Sequence, residues 1–261
     1  MVAVSLKKKT QDRNHVATAR NKKQINEQRA LIAHNIRTRT HNRKKNVKMK
    51  IKPEELKVEG YVLLDKFGHN ELVPFIRTYI NKRTKYSIFY YFCNFFIFGL
   101  AGYLFMKGFD KPDFDLGNRF THFSYGLAIA FGILPLHEYI HILAYKSQGA
   151  KKTSYDANLK KFYFMALADK FVANKKEFEI IALAPFVIIT TILMVLFFTV
   201  NPNWTLTIVG TLLTHTAMCS GDFGLLSYFE FNKNKEIVTF DDVDNKISYF
   251  YGKLQEENTN L

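Results

Sequence analysis

The chain has 261 residues, a formal charge of +14 and 2 cysteines, long enough for one sizeable folded unit. The charge is uneven: residues 1–50 hold 15 Lys and Arg against Asp12 and Glu27, a balance of +13, which leaves +1 for the other 211 positions. A disulfide-stapled scaffold is therefore excluded, and so is a uniformly basic nucleic-acid-binding fold, because the basic excess belongs to a tail.

That tail, residues 1–52, has few branched apolar or aromatic residues, and its blocks of like charge repel one another. It is expected to be disordered and to contact anionic lipid head groups, with no specific nucleic-acid partner. No apolar run follows the first lysines, so no cleavable signal peptide is read there, and Met49 offers a later start. Residues 53–85 form a juxtamembrane segment. YSIFYYFCNFFIFGLAGYLFM, 86–106, is uncharged and about as long as a bilayer-crossing helix. A second apolar run, Phe120 to Tyr145, contains LPLHEYIHILAY. FEIIALAPFVIITTILMVLFFTV, 178–200, is the third run, with Pro185 expected to kink it. A fourth, Trp204 to Phe229, carries His215 and Asp222.

The predicted fold is thus an all-α membrane protein with four transmembrane helices over 86–230 and a cytoplasmic C-terminal segment, 231–261. Between the second and third runs, KKTSYDANLKKFYFMALADKF has two short apolar stretches around Ala-Asn-Leu, consistent with a small β-hairpin-like loop. The plainer alternative is an interfacial loop with snorkelling lysines. Basic residues precede the first span, and eight lysines lie between Lys146 and Lys176. The positive-inside bias therefore makes the protein multi-pass with both termini cytoplasmic. Cys93 and Cys219 fall within spans.

The chemistry concentrates in HEYIH. On a helix His137 and His141, four apart, share a face and can reach one zinc ion at about 2.0 Å. Glu138 lies beside that face, where a carboxylate can take a proton from water and pass it to a leaving amine. Histidines that only hydrogen-bond across helices are the alternative. A third ligand is needed. His137 follows Arg119 by 18 residues and Asp222 follows Trp204 by 18, so two parallel spans place them at similar depth. Gly221 permits close approach. His215 competes, but seven residues earlier on one straight helix it would sit about 10 Å further out.

HEYIH, IALAPF, CSGDFGLLSYF and VTFDDVDNKISYFY together resemble the zincin peptidases of domain of unknown function 3267, over roughly residues 60–253. These are similar in plan to the site-2 protease clan of membrane metalloproteases, although Ser-Gly-Asp-Phe-Gly stands where that clan has an Asn-Pro…Leu-Asp-Gly motif. The resemblance implies His137, His141 and Asp222 as zinc ligands, Glu138 as base, and a membrane-protein substrate held as an added strand. Two other classes compete. A metal-binding scaffold without turnover would not need Glu138. A haem protein using His122, His137, His141 and His215 would want two histidines on the fourth span, which has one.

Overall fold

The computed structural model describes residues 50–107, 115–158, 160 and 163–254. The basic tail, apart from its last residues, lies outside them. Contacts divide the chain into Met1–Lys50 and Ile51–Leu261, and only the second unit is described below.

The unit is mostly helical. Its elements are β1 (Val62–Gly68), α1 (Leu72–Ile80), α2 (Lys85–Lys107), α3 (Leu116–Gly132), α4 (Leu134–Ser147), β2 (Thr153–Asn158), β3 (Tyr163–Ala168), β4 (Ala173–Asn174), α5 (Lys175–Thr199), α6 (Thr205–Met218), α7 (Ser220–Phe231), β5 (Lys235–Asp242) and β6 (Ile247–Leu254). Three helical stretches are long and apolar enough to cross a membrane: Lys85–Lys107, Leu116–Ser147 and Lys175–Thr199. The second bends at Ile133, between α3 and α4.

Two expectations change. The fourth run is not one helix. It breaks at Cys219 into α6 and α7, of 14 and 12 residues, each too short to span alone. Nor is the fold all-α, because β1, β6, β5 and β4 form a four-stranded antiparallel sheet in that order, beside a separate β2–β3 hairpin. β5 and β6 pair from Lys235↔Leu254 to Asp242↔Ile247 across a tight turn. β1 then joins β6 from almost two hundred residues earlier, a partnership that no local pattern announces.

Local chemistry explains the boundaries. α5 starts with a capping box: Asn174 Oδ1 accepts from the Glu177 amide at 3.1 Å, and Glu177 accepts from the Asn174 amide at 3.0 Å. α3 opens on Asp115, which accepts from the Asn118 amide at 2.7 Å. α3 and α6 cross at two glycines. A Cβ on Gly126 would meet the Thr207 carbonyl, and one on Gly210 would lie 2.9 Å from the Phe123 carbonyl, so only hydrogen lets these backbones touch.

The main core joins sheet to helices. Phe67 of β1, Phe250 of β6, Phe178 of α5, and Tyr228 and Phe229 of α7 are all buried together, with the Phe178 and Phe229 rings stacked 4.9 Å apart. A second apolar cluster of Ile97, Ile140, Ile189, Leu193, Ile208 and Leu212 joins α2, α4, α5 and α6. α2 presents the opposite character, with Phe92, Phe95, Phe96 and Phe98 all exposed.

Candidate metal centre

α4 begins immediately after the bend at Ile133, with Pro135 in its first turn, where a missing N–H costs nothing. His137, Glu138 and His141 follow and are buried, at 4, 7 and 7 % exposure. The two imidazoles project one turn apart, with their Nε2 atoms 3.2 Å from each other. Asp222 comes from the first turn of α7. Its Oδ1 lies 3.1 Å from His141 Nε2 and its Oδ2 3.4 Å from His137 Nε2.

Those three separations test whether a metal fits. A tetrahedral zinc ion with ligand bonds of about 2.0–2.1 Å has ligand–ligand edges of about 3.3 Å. The nitrogen–nitrogen edge here is 3.2 Å, and each imidazole has one carboxylate oxygen at comparable range, Oδ1 at 3.1 Å from His141 and Oδ2 at 3.4 Å from His137. Two imidazole nitrogens and a carboxylate oxygen are also zinc's preferred donors at a catalytic site, where a fourth position stays open. His137, His141 and Asp222 therefore suit that ion in both spacing and chemistry.

The surrounding groups orient the donors. His141 Nδ1 lies 2.9 Å from the carbonyl oxygen of Ile181 on α5. Donation there places the proton on Nδ1 and leaves Nε2 as a lone pair facing the other donors. In an uninterrupted helix the Ile181 carbonyl would accept from residue 185, but that residue is Pro185, inside α5, which has no N–H. Pro185 thus has a consequence at the site: it vacates the carbonyl that His141 uses.

His137 Nδ1 meets His215 Nε2 at 3.3 Å. His215 is thus nearer His137 than a count along the helix suggests, yet it stays outside the group of His137, His141 and Asp222: α6 delivers His215 and α7 delivers Asp222 to opposite nitrogens of one imidazole. His215 is 1 % exposed, and its Nδ1 finds no partner among the described residues. Together with Cys219 Sγ, 3.9 Å from its Nε2, it forms a second donor group that shares His137. His122 stands apart, bonded to Thr207 at 3.1 Å. The His137 ring centroid is 4.9 Å from that of His141 and 5.4 Å from that of His215, which leaves no space for a haem macrocycle between them.

Glu138 is fixed from another direction. Its Oε2 accepts the Ala166 amide of β3 at 2.8 Å. The Ala166 and Ala168 amides, two residues apart, both face away from β2. The β3 edge that could receive an added strand therefore already has its Ala166 amide engaged by a carboxylate. Sequence reasoning missed Ala166, Ile181 and Asp241. Only Ile181 had a legible signal, lying four residues before a proline.

A cavity of ≈ 90 Å³ opens beside the centre. Glu138, His141 and Asp222 line it, as do apolar side chains of α1, α5 and the sheet, and Asp241.

A helix-borne His-Glu-x-x-His whose third donor is a carboxylate from a neighbouring helix defines the class of zinc metallopeptidase-like centres. Residues 130–236 match the model of one family of that class, described as "Putative zincin peptidase", the domain of unknown function 3267. The match supports a metallopeptidase-like function and a zinc cofactor. It takes in HEYIH, IALAPF and CSGDFG but stops before VTFDDVDNKISYFY, and so covers less than the resemblance read from sequence. No curated protein and no solved structure matches the chain.

Proposed function

We propose that the protein is a membrane-embedded zinc metallopeptidase that hydrolyses a peptide bond of a membrane-associated protein near the cytoplasmic face. The observation that carries this reading is the convergence of His137, His141 and Asp222 at zinc-like spacing with Glu138 on the same helical turn. A bound zinc ion would supply a Lewis acid that polarises the scissile carbonyl. Glu138 would take a proton from the attacking water as the new C–O bond forms, and return it to the amine as the C–N bond breaks. Its bond to the Ala166 amide sets the direction from which it acts. His137 and His141 would each hold one proton, on Nδ1, shared with His215 and Ile181 respectively.

The membrane setting is supported by three stretches of sufficient length and by the exposed phenylalanine face of α2, which suits acyl chains. With α6 and α7 together as a fourth, discontinuous crossing and lysines crowding the segment before α5, both termini face the cytoplasm. A broken crossing is compatible with a bilayer where protein encloses it, and Cys219 at the α6–α7 junction is fully buried.

The second donor group of His137, His215 and Cys219 favours an alternative, a metal-binding protein without turnover. One experiment separates them. Glu138→Gln should retain about one zinc per chain while cleavage of single-span membrane peptides falls by about 10²–10⁴-fold or more. If the unmutated, zinc-loaded protein cleaves none of them, or Glu138→Gln cleaves as well as it does, the peptidase reading fails.

A further inference from the structure

The cavity beside the metal centre has an end that the chemistry above does not use. Its near end holds Glu138, His141 and Asp222. Its walls are apolar, with Leu72, Phe178 and Phe250 among them, and Asp241 of β5 is a carboxylate at the sheet side. The volume of ≈ 90 Å³ corresponds to about six probe-sized waters, enough for an unbranched side chain.

Asp241 is an unusual group to find there. Its carboxylate accepts from Ser248 Oγ at 2.6 Å, a neutral donor, and among the described residues no lysine or arginine side chain forms an ion pair with it. Other acids of the same region are supplied with cations: Asp156 meets His69 at 2.8 Å and Lys246 at 3.2 Å, and Glu230 meets Lys175 at 3.0 Å. A part-buried carboxylate without a counter-ion is costly. Burial accordingly pushes the Asp241 carboxyl above its ordinary range, against the opposing pull of Ser248, His69 and the Ala168 amide. One accepted bond also leaves lone pairs unused. An apolar sleeve ending in an anion complements a long aliphatic stem ending in a cation.

We infer that this cavity is the specificity pocket of the peptidase and that Asp241 selects a substrate with a lysine or arginine next to the scissile bond. The inference rests on the proposed peptidase function. It also accounts for how a substrate is held when Glu138 already occupies the Ala166 amide on the β3 edge: recognition comes from one side chain. His69 lies behind this end of the site, bonded to Asp156 through Nδ1, and its buried Nε2 has no partner among the described residues. It acts on Asp241 through space and is not a contact for the incoming side chain, since it does not line the cavity.

The test uses the full-length protein in detergent, loaded with zinc, and fluorescein-labelled peptides of otherwise identical alanine-leucine sequence carrying one lysine, norleucine or glutamate. Binding is read by anisotropy on Glu138→Gln, and cleavage by mass spectrometry on the unmutated chain. The lysine peptide should bind about thirtyfold or more tightly than the norleucine peptide, as expected for a desolvated charge pair, and be cut beside the lysine. In the double variant Glu138→Gln/Asp241→Asn that ratio should collapse towards one, and Asp241→Glu should restore most of it. Equal binding of the lysine and norleucine peptides overturns the inference, as does a ratio that survives Asp241→Asn. If Asp241→Asn does not fold, competition on Glu138→Gln decides: n-butylammonium should displace the lysine peptide and n-butanol should not, and equal displacement overturns the inference. Should no peptide be cleaved while the Asp241-dependent preference holds, the peptidase reading falls and the cation pocket stands.

Discussion

Replacing Pro185 with alanine should make the protein more stable and its metal site weaker. Alanine restores an N–H at the position whose helical acceptor is the Ile181 carbonyl, the group that lies 2.9 Å from His141 Nδ1. Removing an interior proline relieves up to about 3 kcal/mol in a helix, although a hydrogen bond regained between groups in a membrane averages nearer 0.6 kcal/mol. The gain in apo-protein stability should fall between these values. A carbonyl has two lone pairs, but the restored helical bond draws the oxygen towards the α5 axis and away from His141. Loss of such an outer partner typically costs 10–100-fold in metal affinity, or about 1.4–2.7 kcal/mol. The two effects thus have opposite signs and similar size. Melting of the metal-free protein and zinc competition against a chromogenic chelator measure them separately. Pro185→Gly is the control: it restores the same N–H but lacks alanine's helix preference by about 1 kcal/mol, so it should lose zinc affinity equally while gaining less stability. A zinc affinity unchanged in both variants would refute the reasoning, since it would mean that Ile181 serves both donors without conflict.

Asp222→Ala should lose zinc on dialysis against a weak chelator, because it removes the donor 3.1 Å from His141 Nε2. His215→Ala should retain it with affinity reduced by about 10–100-fold; full loss in His215→Ala with retention in Asp222→Ala would transfer the third-ligand role to His215. Gly126→Leu drives a side chain into the α6 backbone at Thr207 and should destabilise the protein by more than about 3 kcal/mol, whereas Gly132→Ala, with open space at its Cβ, should not lower the melting temperature. Asp156, although burial opposes its ionisation, is held below the ordinary carboxylate range by His69 and Lys246; its contribution is present at neutral pH and lost as pH falls through and below that range, so Asp156→Asn should flatten the acid limb of a stability–pH curve. Reporter fusions after Lys111 and after Lys160 should report opposite sides of the membrane.

What could be read from sequence was what depends on local pattern. HEYIH places its two histidines on one face whatever surrounds them, and the structure brings their Nε2 atoms to 3.2 Å. The long apolar runs were legible because a length of about 20 residues is itself a physical requirement. The hairpin was legible from two short stretches around a turn, and β2 and β3 pair there from Thr153↔Ala168 to Asn158↔Tyr163. The four-stranded sheet was not, because β1 finds β6 across most of the chain and nothing within VLLDKFG reports its partner. The roles of Ala166 and Ile181 were illegible for a related reason: each acts through its backbone, which every residue carries, and only tertiary packing decides which amide or carbonyl meets a catalytic side chain.

A count along two parallel helices reached Asp222 because the two apolar runs are interrupted at matching positions. The second apolar run bends at Ile133, 14 positions after Arg119, and the fourth breaks at Cys219, 15 positions after Trp204. Because both interruptions fall at nearly the same depth, residues a few positions beyond each still meet, and His137 and Asp222 come within 3.4 Å. Helical hydrogen bonds carry across Cys219, from its amide to His215 and from the Phe223 amide to Cys219, so His215 stays about two turns from Asp222 and meets the far nitrogen of His137. A bilayer tolerates polar side chains in an otherwise apolar layer only where protein encloses them. Here α4 and α7, the short helices that follow the interruptions, carry His137, Glu138, His141 and Asp222, and the end of α6 adds His215, while α2, unbroken over 23 residues, contributes none. Two histidines and two carboxylates thus gather where the apolar runs are interrupted. Straightening either one, by any substitution that fuses α3 to α4 or α6 to α7, should separate the donors without touching them.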